Sequence, residues 1–166
     1  MNTREIVIVI DQCILSDPRC QKLRTYHELG EISLKLGEKV PIELKSWEGP
    51  KGEKYNQMFA GYETIVNLAI FDDGGLKFPF SFYSQKELDE MEEIIFRYHN
   101  ICQMTQENLT KLKMDVRQVF SAYRGKADFF VSDDNDILGK RNEIKEKFGL
   151  KILSLEEMIE ELRNTL

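Results

Sequence analysis

The stretch Ile6-Val-Ile-Val-Ile10 constrains this chain more than any other, because five consecutive β-branched residues run without a polar interruption. Such a run suits a strand covered on both faces, as in a parallel sheet with helices on either side. It stops at Asp11. The C-terminal ends of the strands form the functional edge of an open parallel α/β sheet, so this carboxylate follows a buried strand directly onto that edge. The run is also far too short for a membrane span or a signal-peptide core. A cytoplasmic protein without membrane association is therefore the expectation.

Downstream, apolar periodicity predicts a helix over 16–36, with Ser16 as N-cap, Pro18 in the first turn, an apolar face of Leu23, Tyr26, Leu29 and Leu36, and Gly37 as its stop. Strands are predicted at Val40–Leu44 and Thr64–Phe71, with turn chemistry at Trp47–Glu53 and a short helix over 53–60 between them. Asp72-Asp-Gly-Gly75 reads as a turn, and residues 80–83 as a short strand. Ser84 then caps a helix with Glu87 at capping-box spacing, buried through Leu88, Met91, Ile95 and Tyr98. A second helix begins near Thr105, with its stripe at Leu109, Leu112, Val116, Val119, Phe120 and Tyr123, and ends at Gly125. Phe129–Val131 is a buried strand, followed by Ser132-Asp-Asp-Asn-Asp136 and a basic helix closed by Gly149. Leu150–Leu153 is the last strand, and Ser154 with Glu157 caps the final helix. Strands alternating with helices predict an α/β fold, a three-layer α/β/α sandwich around a mainly parallel sheet.

Length and composition agree with one globular domain: 166 residues, 42% hydrophobic and 31% charged. Cys13, Cys20 and Cys102 form no CxxC pair and read as free thiols, and neither His27 nor His99 has a partner at zinc spacing. The net charge of −6 argues against tight, nonspecific binding to long nucleic acid.

No glycine-rich phosphate loop and no G-x-S-x-G elbow is present. What stands out is acids beside apolar residues. Asp11 ends the first strand, Glu87 flanks Leu88 and Met91, Asp115 lies between Leu112 and Val119, and Asp133, Asp134 and Asp136 follow the strand at 129–131. Each has an ordinary reading, as a turn residue, a cap or a solvated helix edge. Together, if the strands ending at Asp11 and Val131 are neighbours, they bring several carboxylates to one end of the sheet. Carboxylates sharing a cleft must protonate or share a cation, and hard oxygen ligands select Mg²⁺ or Mn²⁺.

The chain resembles the PIN family. Residues 127–138 (ADFFVSDDNDIL), the basic helix and residues 149–157 (GLKILSLEE) look like the family's C-terminal part. Residues 8–15 (IVIDQCIL) resemble its opening strand and first acid, with Gln12 and Cys13 where the family has small polar residues. Residues 83–88 (YSQKEL) resemble the segment with the second acid, and 114–123 (MDVRQVFSAY) the helix with the third. The similarity spans 105–160 and 4–15, more loosely 80–98, and leaves about 31–78 as an insertion within a single domain of 1–166.

The resemblance implies a Mg²⁺- or Mn²⁺-dependent endoribonuclease. Asp11, Glu87, Asp115 and Asp134 would hold the metal and orient the attacking water, with Asp133 and Asp136 as competitors for the last place. Ser132 would hold the water or a carboxylate, and Lys140 and Arg141 would contact RNA phosphates. Many small members are toxins covered by an antitoxin protein, so an antitoxin and a homodimer join RNA among the expected partners. Two other readings stand beside this one: a non-catalytic PIN-like module that binds protein or RNA, and a different α/β domain such as a phosphatase or receiver. Trp47, Tyr55, Phe59 and Tyr62 could stack on bases, although packing within the insertion accounts for them as well.

Overall fold

The structure, a computed structural model, describes residues 5–37, 39–65 and 81–166, with side chains throughout these except at 42, 43 and 81–84. The apolar run forms β1 (Ile6–Ile10), an inner strand. It pairs in parallel with β2 (Ile32–Leu36) on one side and with β3 (Phe129–Val131) on the other. β4 (Lys151–Leu153) pairs in parallel with β3, which completes the order β2-β1-β3-β4.

The alternation of a strand sends successive side chains to opposite faces, and both faces are buried. Ile8, Ile10, Phe129 and Val131 join Ile32, Leu34 and Leu36 in one core. It is covered by α1 (Cys20–Glu28), α2 (Lys39–Ser46), α3 (Gly49–Phe59) and α8 (Leu155–Thr165). Val9, Phe130 and Ile152 enter a second core, under α4 (Ser81–Phe96), α5 (Gln106–Arg124), α6 (Asn135–Leu138) and α7 (Arg141–Phe148). The result is the three-layer α/β/α sandwich that an uninterrupted β-branched strand demands.

The second half follows the predicted pattern closely. Thr105 caps α5, which buries Leu112, Val116, Val119 and Phe120. Gly149, at φ +74°, ends α7 in the left-handed conformation that glycine adopts without steric cost. Ser154 and Glu157 form a reciprocal capping box on α8. The basic helix differs only in being broken into α6 and α7.

The first half departs from expectation. The helix predicted over 16–36 is only α1, preceded by Arg19 without a side-chain cap; Ser16 and Pro18 lie outside it. Gly30, at φ +74°, turns the chain, and Ile32, Leu34 and Leu36 alternate with Ser33 and Lys35 along β2. Leu29 is exposed, and Leu36 serves a strand rather than a helix face. Parallel pairing with β1 uses this period of two, which overrides the helical reading.

Val40–Leu44, predicted as a strand, lies in α2, where Val40 and Leu44 are buried at helical i, i+4 spacing. The Trp47–Glu53 turn is largely the start of α3, with Pro50 in its first turn. Residues 81–83 belong to α4, so Ser84 is inside a helix and Glu87 is no capping-box partner. Tyr98 is exposed beyond the end of α4. Thr64 makes a single parallel bridge to Leu36; residues 66–71 of that predicted strand, the Asp72–Gly75 turn and Phe80 lie outside the described residues.

The segment read as an insertion thus supplies a strand of the central sheet and two helices of one layer. Its aromatics are packing elements: Trp47 meets Tyr55 edge-on, Phe59 meets Tyr62, and all four lie against the first core. Among the described residues no helix is long and apolar enough to cross a membrane.

Phe130 is fully buried in the second core. Its replacement by alanine is expected to cost about 3–5 kcal/mol, read from urea denaturation; a loss below about 1 kcal/mol would contradict this packing.

Candidate functional site

The strand order reverses at β1. The chain adds β2 on one side and the later strands on the other, so the C-terminal ends of β1 and β3 flank the switch point. The crevice outside such a point is where open parallel sheets bind ligands. Asp11 extends β1 into it, its N–H donating to the Val131 carbonyl at 2.9 Å, and Ser132 extends β3, donating to the Leu153 carbonyl at 3.1 Å.

Asp11 is only 4% exposed. Its Oδ1 accepts from the Gln12 N–H and from Gln118 Nε2, each at 2.6 Å. Its Oδ2 accepts from Ser132 Oγ at 2.7 Å and from Cys13 Sγ at 3.3 Å. A buried carboxylate is tolerated when donors replace water, and here the donors come from the turn after β1, from α5 and from β3.

Gln118 is fully buried. It fits because Gly37 carries no side chain: a Cβ there would lie 2.8 Å from Gln118 Oε1 and 2.9 Å from its Cδ. Among the described residues Oε1 has no hydrogen-bond partner, whereas Nε2 is committed to Asp11. The sequence signal for Gln118 was a polar residue inside the apolar stripe of its helix.

Cys13 is exposed as a residue, but its sulfur turns inward. It lies 3.4 Å from Ser132 Oγ and accepts from the Asp133 N–H at 3.2 Å. Burial, and then the Asp11 carboxylate, push the thiol up to about 12. It is therefore protonated at neutral pH and no nucleophile.

Asp115 stands three residues before Gln118 on α5, a spacing that shares one helix face. Its Oδ1 accepts from Lys39 Nζ at 3.1 Å. Burial raises the carboxyl to about 6, with Asp11 and Asp134 adding to the rise and Lys39 opposing it. Lys39, the first residue of α2, is a partner that the strand reading of 40–44 concealed.

Asp134 caps α6, its Oδ1 accepting from the Asp136 N–H at 2.8 Å, and its own N–H donates to Ser132 Oγ at 3.1 Å. Ser132 thereby links Asp11 to Asp134. Asp11, Asp115, Asp134 and Ser132 are the expected site residues that the fold brings together.

The others are placed elsewhere. Asp133 Oδ1 accepts from the Leu155 N–H at 2.9 Å, at the start of α8, and Asp136 is an exposed residue in the first turn of α6. Glu87 accepts from the Tyr123 hydroxyl at 3.0 Å and pairs with Arg124 at 3.2 Å. Tyr123 is eight residues, about 12 Å of helix, beyond Asp115. Lys140 Nζ donates to the Arg97 carbonyl at 3.0 Å over the Tyr98 ring. Arg141 holds both oxygens of Glu157 at 2.9 Å. Both cations are thus engaged within the chain. Among the described residues, no three Asp, Glu, His or Cys side chains converge closely enough to hold a metal ion between them.

Gly37→Ala is expected to push Gln118 off Asp11 and to destabilise the protein by about 1–3 kcal/mol in chemical denaturation; a neutral change would show that Gln118 can shift freely. Asp115 gives a pH test in chelator-treated protein. The native carboxyl keeps its proton up to about pH 6, whereas an unfolded chain releases it near about pH 4. Native protein therefore binds more protons in that window, and this group's contribution to stability falls as pH rises. Asparagine cannot titrate, so the stability of Asp115→Asn relative to wild type is expected to climb by about 2–3 kcal/mol from pH 4 to 7; a flat difference would refute the raised pKa. Compared with protein-family models and with curated proteins, the chain matches none.

Proposed function

We propose that this chain is a PIN-like endoribonuclease that hydrolyses RNA phosphodiesters with Mg²⁺ or Mn²⁺ held at the C-terminal edge of its sheet. The observation that carries the reading is the gathering of carboxylates at this edge, whose charge helps to lift Asp115. Asp11 and Asp134 both act on the carboxyl of Asp115, with Lys39 against it. Oxygen-only donors with surplus negative charge suit a hard dication.

The residues fit such an ion without a closed cage, because Mg²⁺ commonly takes one or two carboxylates and completes its shell with water and substrate phosphate. Asp115 and Asp134 would hold it. Bound there, the ion would lower the pKa of a water and offset charge on the phosphate. Asp11, with both oxygens occupied by donors, is a template that fixes Gln118 and Ser132. Ser132 in turn sets the turn that carries Asp134. Glu87 is drawn instead to Tyr123 and Arg124.

The non-catalytic module has its own support. Lys39 already neutralises Asp115, and Lys140 and Arg141 are spent on internal contacts. One experiment separates the readings: Mn²⁺ calorimetry and cleavage of a single-stranded fluorogenic RNA, with wild type, Asp115→Asn and Glu87→Gln. The ribonuclease reading expects Mn²⁺ binding in wild type that is lost in Asp115→Asn, and cleavage reduced at least about a hundredfold there. Glu87→Gln should spare cleavage. Metal binding without cleavage would leave the module, and no metal binding would end the metal-centre reading.

A further inference from the structure

We infer that Lys39 is the resident counter-cation of this carboxylate edge, and that a divalent ion binds only by displacing its ammonium from Asp115. The inference rests on the metal-centre reading above. Lys39 Nζ lies 3.1 Å from Asp115 Oδ1, with the two side chains 17% and 18% exposed. An ammonium this close to the carboxylate occupies the space and the charge that a dication would need, and the two cations repel.

The partners described for Asp11 and Asp134 raise no such conflict. Asp11 is held by two neutral side chains, a thiol and a backbone N–H, which can stay in place when an ion arrives. Asp134 Oδ1 accepts from a backbone N–H. Among the described contacts, the ion pair of Lys39 with Asp115 is therefore the one that metal entry must break. Lysine suits that role, since its compact charge rides on a flexible four-carbon stem and hydrates well once released. At low metal, Lys39 stabilises the fold across α2 and α5; at high metal, its head leaves for solvent.

The test reads metal affinity and lysine accessibility rather than turnover. Mn²⁺ binding, measured from the electron paramagnetic resonance of the free ion, is compared in wild type, Lys39→Met and Lys39→Gln. Both variants should bind at least about tenfold more tightly, the equivalent of one charge-assisted hydrogen bond. In wild type, which avoids any folding defect of the variants, acetic anhydride should label Lys39 several-fold faster at saturating Mn²⁺, while the exposed Lys22 stays unchanged. Equal or weaker binding in the variants, or Lys39 labelling insensitive to bound Mn²⁺, overturns the inference while leaving the metal centre intact. Absence of Mn²⁺ binding in wild type and both variants overturns the metal centre and this inference with it.

Discussion

The carboxylate of Asp11, buried where β1 and β3 run side by side, is the group to which the rest of this sheet edge is fitted. A charge in that position is stable only if donors replace the water it has lost. Each donor imposes a demand on another element. Gln118 must reach across from α5, which requires that Gly37 present no Cβ. Ser132 must leave β3 with its hydroxyl toward β1, and the same hydroxyl then fixes the backbone of Asp134. Among the described residues the Oε1 of Gln118 is left without a donor while its Nε2 serves Asp11.

Around that anchor the acids divide by environment. Asp115 is raised because burial removes its water and the neighbouring carboxylates repel it, with Lys39 limiting the effect. Asp133 and Asp134 are used by helix N-termini, where unpaired N–H groups and the helix dipole favour a carboxylate. Glu87 joins a Tyr123–Arg124 pair, and burial together with that contact pushes the Tyr123 hydroxyl up. Acids that look alike in the sequence therefore do three different jobs: charge cluster, helix cap and surface ion pair.

Legibility followed the range of the interactions concerned. From Thr105 onward, caps, stops and apolar stripes are local, and the elements fall where these signals put them. Between 16 and 60 the signals conflict. Ile32-Ser-Leu-Lys-Leu36 can extend a helical stripe or alternate as a strand, and only its pairing with β1 decides. Val40 and Leu44 read as part of an apolar strand until α2 is seen to bury them one turn apart. That error concealed Lys39, and with it the partner of Asp115. The capping box at Ser84 and Glu87 failed for a similar reason: α4 begins upstream of Ser84, so that spacing has no helix end to serve.

By itself the sequence determined the layer architecture and the position of Asp11, because five β-branched residues closed by an acid can be buried on both faces only as an inner strand with its end at a sheet edge. It also determined that Asp115 and Gln118 share a face, since helical period is a property of neighbouring residues. The tertiary structure alone decided which charges meet: Lys39 with Asp115, 76 residues apart, and Gln118 with Asp11, 107 apart. Such pairs depend on strand order and helix placement, which are set by burial summed over the whole chain and leave no local mark on the residues they bring together.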